Sequence, residues 1–272
     1  MISTDKRDKK LVFSIKHLRR LFAAARDLSL GTNLGSLRLL SQPRSLRRYA
    51  AEALFLQKSL VAPGLHSRTV NQVLPFTGDL RLQHLPNGYN WFSFGAPFAM
   101  DLVSLCILCR ALDARTIFEI GTFHGYSTLH LAMNSAPETR IYTLDLGQGT
   151  AEVSLDVTDV DHLVIEERND ACCFVGTEVE KKITRLFGDS AKFDFSPFAG
   201  KIDLFFIDGA HSYDYVKSDT LNAIRCCHPG SAIAWHDYGR PQFGVTRFLA
   251  ELAREMEINV VPGGSLAFTI VK

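Results

Sequence analysis

The 272-residue chain has no run of about 20 consecutive apolar residues, so no membrane-spanning helix is expected. Its charged start, residues 1–10, is not followed by a clean apolar segment, because Lys16, Arg19 and Arg20 interrupt it, and a secretory signal is not read there. Cysteines spaced to staple distant loops are also missing. Cys106, Cys109, Cys172, Cys173, Cys226 and Cys227 come in tight pairs, which points to a reduced, cytoplasmic compartment. Cys106-x-x-Cys109 lies in an apolar helical stretch, residues 100–112, and reads as core rather than as a metal or redox pair. Cys226-Cys227-His228 ends a helix and takes the same reading. The G-x-G-x-x-G of dinucleotide sites and the P-loop lysine are absent. So are an Asn/Asp-Pro-Pro-Tyr segment and any RNA-binding module.

What is present is ordinary for a globular protein: 46% hydrophobic and 22% charged residues supply a sizeable core. The net charge of +1 hides an asymmetry. Residues 1–50 carry 12 Lys and Arg against Asp5, Asp8 and Asp27, a net of +9, which leaves −8 for the remainder. Leu11, Ile15, Leu18, Leu21 and Phe22 stand at helical spacing among basic residues, so 11–30 reads as a basic amphipathic helix. It could lie on an anionic membrane surface, or pack on its own domain as a solvated face. A second helix is expected from Ser45 to Leu60. Residues 61–95, with Pro63, Gly64, Pro75, Gly78, Pro86 and Gly88, have no period and read as loop. The division expected is a helical and loop-rich extension over 1–95, serving as a substrate lid, and a main domain over 96–272.

The main domain is organised around residues 116–130. An apolar run, Ile117-Phe118-Glu119-Ile120, suits a buried parallel strand. The chain turns at Gly121, passes Gly125 and continues from Tyr126 as a helix. Glycine permits positive φ and close approach of a ligand to the backbone, and the helix start offers unpaired N–H groups. Further strands are expected at 140–145, 182–189, 201–208 and 231–236, with helices at 97–113, 213–227 and 245–255. Residues 258–261 and 266–271 flank Pro262-Gly263-Gly264 as a closing pair. Segment 147–180 exceeds a simple crossover and reads as an insertion near the site. Alternating strands and helices predict an α/β fold, a doubly wound Rossmann-like sheet with an antiparallel last strand.

Ligands of such sheets bind beyond the carboxyl ends of the strands. Glu119, Asp145, Asp189, Asp208 and Asp237 stand at or just after those ends. One strand-ending Asp can be a turn former or a cap; five in series on one rim are harder to assign that way.

The Glu119-x-Gly121-x-x-x-Gly125 spacing resembles the first motif of the class I S-adenosylmethionine (SAM)-dependent methyltransferases. Ile207-Asp-Gly-Ala-His-Ser-Tyr-Asp-Tyr215 and Pro229-Gly-Ser-Ala-Ile-Ala-Trp-His-Asp-Tyr238 resemble the small-molecule branch that includes sugar and macrolide O-methyltransferases. The resemblance covers roughly residues 95–272 and implies SAM as cofactor. It implies that Gly121, Thr122 and Gly125 pass its methionine part and ribose, with Glu119 supporting the loop and Ser127 near the methionine carboxylate. Asp145 would accept from both ribose hydroxyls, and Gly188, Asp189 and Ser190 would contact the adenine edge. Asp208 would border the cofactor, and Asp208, His236 and Asp237 match the positions that bind Mg²⁺ or another divalent cation in several members. His211 matches a general base, with Asp208 and His236 beside it in the catalytic set.

This chain has His236-Asp237 where metal-dependent members carry an acidic pair, and Mg²⁺ prefers oxygen ligands. Either His236 points away and Asp208 and Asp237 hold the ion, or the ion is softer, or a histidine acts alone as base. The acceptor implied is a hydroxylated small molecule, with a homo-oligomer left open. Two other functions compete: an iron-dependent oxygenase using His211, His236 and a carboxylate, and a nucleic-acid methyltransferase docking through the basic N-terminus. The SAM motif stands against the first, and the missing nucleic-acid signatures against the second.

Overall fold

A computed structural model describes residues 64–83, 99–147, 153–167, 171–240 and 242–272. The helices expected at 11–30 and 45–60 lie outside these residues. Eight described strands form one sheet: β1 (Leu65–Ser67), β2 (Thr116–Ile120), β3 (Arg140–Asp145), β4 (Ile183–Phe187), β5 (Ile202–Ile207), β6 (Cys227–Trp235), β7 (Ile258–Val260) and β8 (Ala267–Ile270). The described helices are α1 (Val70–Val73), α2 (Ala99–Ala111), α3 (Tyr126–Met133), α4 (Asp159–Glu167), α5 (Tyr213–Cys226) and α6 (Val245–Leu252).

The strand order is β1-β7-β8-β6-β5-β2-β3-β4. Strand β8 runs antiparallel to both β6 and β7, and every other pairing is parallel. The chain steps outward from β2 through β3 to β4, then returns to lay β5 on the other side of β2. That reversal opens a crevice above the carboxyl ends of β2 and β5, where open α/β sheets bind ligands.

The central strands are covered on both faces, which explains their unbroken apolar runs. One face packs Ile117, Leu204, Phe206 and Phe268 against Leu105, Leu108 and Leu129. The other holds Phe118, Phe205, Ile233 and Trp235 with Phe248 and Leu249 of α6. Phe118 alone contacts the rings of Tyr142, Phe193, Phe195, Phe198 and Phe205. Trp235 is fully buried, with its Nε1 donating to Thr220 Oγ1 at 2.8 Å, and Tyr238 is 4% exposed. Both are packing residues.

Three stretches differ from the sequence reading. The aperiodic 61–95 contributes β1, paired with β7 at the sheet edge. Three paired residues are too few to show a period. Strand β6 begins at Cys227, before the expected 231, so Pro229 and Gly230 lie inside it, where the register against β5 shifts between Ile202 and Leu204, an irregularity that accommodates proline. Segment 147–180 contains α4, whose acid-rich sequence did not announce a helix. No described helix is long and apolar enough to cross a membrane.

Candidate active site

The loop after β2 is shaped by its neighbours. Gly121 has φ 97°, and a Cβ there would stand 2.0 Å from the Asp208 carbonyl oxygen, so glycine lets the β2 and β5 loops meet at the crevice. Gly125, at φ 72°, begins α3, and a Cβ on it would strike the Phe174 ring at 2.4 Å. Asp145 ends β3 and ties this loop down: Oδ2 accepts from Phe123 N at 2.8 Å and Oδ1 from Leu146 N at 2.9 Å.

Glu119 lies one layer below the rim. One carboxylate oxygen accepts from Thr128 Oγ1 and, at 2.6 Å, from Thr143 Oγ1. The other, Oε1, is buried without a hydrogen-bond partner. Burial pushes this carboxyl up to about 8, against the hydroxyl hydrogen bonds that lower it. Thr122 meets Thr143 Oγ1 at 2.6 Å, and Ser127 is buried in the first turn of α3. Beyond β4, Gly188 donates to the Asp145 carbonyl at 2.9 Å, and Ser190 is buried. Asp189 accepts from the Tyr215 hydroxyl, Ala191 N and Ser154 N at 2.8–2.9 Å.

Across the crevice, the loops after β5 and β6 bring charged side chains together. Ligand atoms of Asp208, His211 and Asp237 all lie within 4.8 Å of one another. His211 Nε2 is 2.8 Å from Asp237 Oδ2, and its Nδ1 is 2.5 Å from Asp161 Oδ1. Its ring stacks on Phe243 at 4.1 Å. Burial opposes charge on His211, but hydrogen bonds to Asp161 and Asp237 and their negative charge raise it to about 10.

His236 sits behind this group. Nδ1 faces Asp208 Oδ1 at 3.1 Å and Asp237 Oδ1 at 3.5 Å, while Nε2 faces Ser265 Oγ at 3.2 Å and Asp101 Oδ2 at 3.4 Å. Burial again works against the charged imidazole, and Asp208 and Asp237 outweigh it, holding the group well above its ordinary value. Asp237 adopts φ 62°, a left-handed conformation that Asp tolerates better than most residues. Arg240 Nε lies 2.5 Å from its Oδ1. Burial would raise the Asp237 carboxyl, but His236 and His211 hold it well below the usual range.

Of the residues singled out from sequence, Asp208, His211 and Asp237 therefore converge. His236 is adjacent to them, with both ring nitrogens turned to carboxylates or a hydroxyl. Asp145 and the 121–125 loop line the other side of the crevice. Sequence reasoning did not single out Asp161, Asp101 or Arg240. Asp161 had only the acid-rich character of 156–170 as a signal, and Asp101 reads as an ordinary acidic residue near a helix start.

This topology, with an antiparallel strand inserted at one side and a glycine loop at the switch point, is the one that the resemblance to the class I methyltransferases implies. Residues 118–238 match the family described as a methyltransferase domain. A protein of Sinorhizobium fredii described as uncharacterized is 29% identical over 168 residues, 60% of this chain and 17% of its own length. A catechol O-methyltransferase of Mycobacterium tuberculosis is 44% identical over 50 residues, 18% of this chain and 23% of its own. The alignments thus span less than a quarter of either curated relative. The crystal structure of an O-methyltransferase from Bacillus cereus in complex with SAH superposes with a TM-score of 0.47 at 20% identity, covering 66% of this chain and 84% of that one.

Proposed function

We propose that this protein transfers the methyl group of SAM to a hydroxyl of a small molecule, with a sugar or glycosylated product as the acceptor class. The observation that carries the reading is the meeting of two sets of groups at one switch point. The β2 glycine loop and Asp145 lie on one side, and Asp208, His211 and Asp237 on the other.

The residues fit the cofactor. Asp145 accepts from the Phe123 and Leu146 N–H groups, and a carboxylate at the end of this strand is a hydrogen-bond acceptor of the kind ribose hydroxyls need. The unpartnered Glu119 Oε1 beneath the loop leaves a polar group there for a ligand to meet. Gly188, Asp189 and Ser190 would border adenine, and Thr122, Gly125 and Ser127 the methionine part.

The donor set also fits a divalent cation. Asp208 and Asp237 supply carboxylate oxygens, with the His211 imidazole beside them. When bound there, such an ion lowers the pKa of a coordinated hydroxyl. In this reading His211, once Nε2 has given up its proton, takes the acceptor proton, and Asp208 orients the acceptor. His236 holds Asp208 and Asp237 in place through its charge. Methyl transfer is an in-line displacement, so fixing both partners supplies much of the acceleration. The extension over 1–95 as a lid, contact of residues 11–30 with an anionic membrane surface, a homo-oligomer and a cytoplasmic location belong to the same proposal.

Calorimetric titration of S-adenosylhomocysteine (SAH), with and without Mg²⁺ or Mn²⁺, tests it. Wild type should bind with affinity on the order of micromolar, and Asp145→Ala should bind at least about tenfold more weakly, a loss of about 1.4 kcal/mol or more. Absence of binding under every condition overturns the reading.

A further inference from the structure

We infer that Asp161 is a positioning residue for His211: it receives the imidazole Nδ1–H and so turns Nε2 toward Asp208 and Asp237. Its functional meaning rests on the methyltransferase reading above; its geometry does not.

Asp161 lies in the first turn of α4, within the insertion between β3 and β4, and is 5% exposed. Its Oδ1 is 2.5 Å from His211 Nδ1, and the His211 backbone N–H reaches Oδ1 and Oδ2 at 3.3 and 3.2 Å. Oδ2 also accepts from Thr158 N at 2.8 Å and Thr158 Oγ1 at 2.7 Å. The imidazole is thus held at Nδ1 by Asp161 and on its face by Phe243. An ionised carboxylate can only accept, so the Nδ1 proton is retained and Nε2 is left as the nitrogen that exchanges a proton. That is the nitrogen facing the acidic pair. The insertion is fastened a second time where Ser154 N donates to Asp189 Oδ2 and to the Tyr215 hydroxyl. It therefore runs from the loop assigned to adenine to the histidine assigned as base.

Asp161→Asn discriminates positioning from mere packing. The Thr158 N–H requires an acceptor at the Oδ2 place, so the amide oxygen goes there and the NH₂ falls opposite Nδ1. An NH₂ in that place donates to Nδ1 and drives the ring proton to Nε2. For any acceptor the wild type methylates, kcat should fall on the order of 10²–10⁴-fold. The KM for SAM and the affinity for SAH should not change. Proton NMR of the wild type should show an exchange-protected, strongly downfield Nδ1–H resonance, assigned by its loss in His211→Gln and absent in Asp161→Asn. An unchanged kcat in Asp161→Asn overturns the inference, as does a wild-type spectrum lacking that resonance. The resonance needs no Asp161 variant, so it decides even where Asp161→Asn fails to fold. If wild type binds no SAH and methylates nothing, the function reading falls, while the resonance still decides the Asp161 contact.

Discussion

Glu119 shows what position does to a single carboxyl. Its sequence context marks it as a motif residue, and its place in β2 removes it from water. With one oxygen served by Thr128 and Thr143 and the other buried without a partner, it is held up to about 8 from an ordinary 4.5. Between those values the folded protein keeps a proton that the unfolded chain has released, so stability falls as pH rises through that window. Glu119→Gln keeps the shape and removes the titration. Urea unfolding at pH 5 and pH 8 should show wild type losing about 3 kcal/mol more than Glu119→Gln between the two. Equal losses would mean that the carboxyl is not perturbed by burial. The same scale governs His211, whose motif place is legible in sequence while its raised proton affinity is not, because Asp161 stands 50 residues away in the chain.

Asp101 acts between elements. It begins in α2 and reaches the turn joining β7 to β8, where Oδ1 accepts from Ser265 N at 2.8 Å and Leu266 N at 2.9 Å, and Oδ2 from Ser265 Oγ at 2.9 Å. Gly264 passes so close that a Cβ on it would stand 2.0 Å from Oδ1. His236 Nε2 faces the same carboxylate, which links this turn to the crevice. Burial would raise the Asp101 carboxyl, but hydrogen bonding to His236 and the turn N–H groups lowers it. Asp101→Ala strands two backbone donors and one face of a buried imidazole. It should lower unfolding free energy by about 3 kcal/mol or more in urea. A change under about 1 kcal/mol would show the clamp to be dispensable. The α2 helix was legible from its apolar run, and this role was not, since a local pattern carries no information about a turn 164 residues later.

Across the whole molecule, the tight cysteine pairs are free thiols, five of them buried and Cys173 half-buried. Burial raises the Cys109 thiol to about 12 and Cys226 to about 11, leaving both unreactive at neutral pH. The thermal unfolding midpoint should therefore be the same with and without reductant. All six thiols should titrate after denaturation, and a midpoint that drops in reductant would reveal a structural disulfide. Sequence by itself determined the series of main-domain elements, the glycine turn after β2 and the carboxylates at the ends of β3 and β5. Apolar runs, strand length and turn residues are local signals, written within a few positions of one another. Only the tertiary structure decided that β1 joins the edge beside β7, that β6 continues through Pro229, and that His211 pairs with Asp237 while His236 faces both Asp208 and Asp237. It also brought in Asp161, Asp101 and Arg240. Those pairings depend on how crossovers return the chain to the sheet and on which buried groups then find partners, and neither leaves a periodic trace in the sequence.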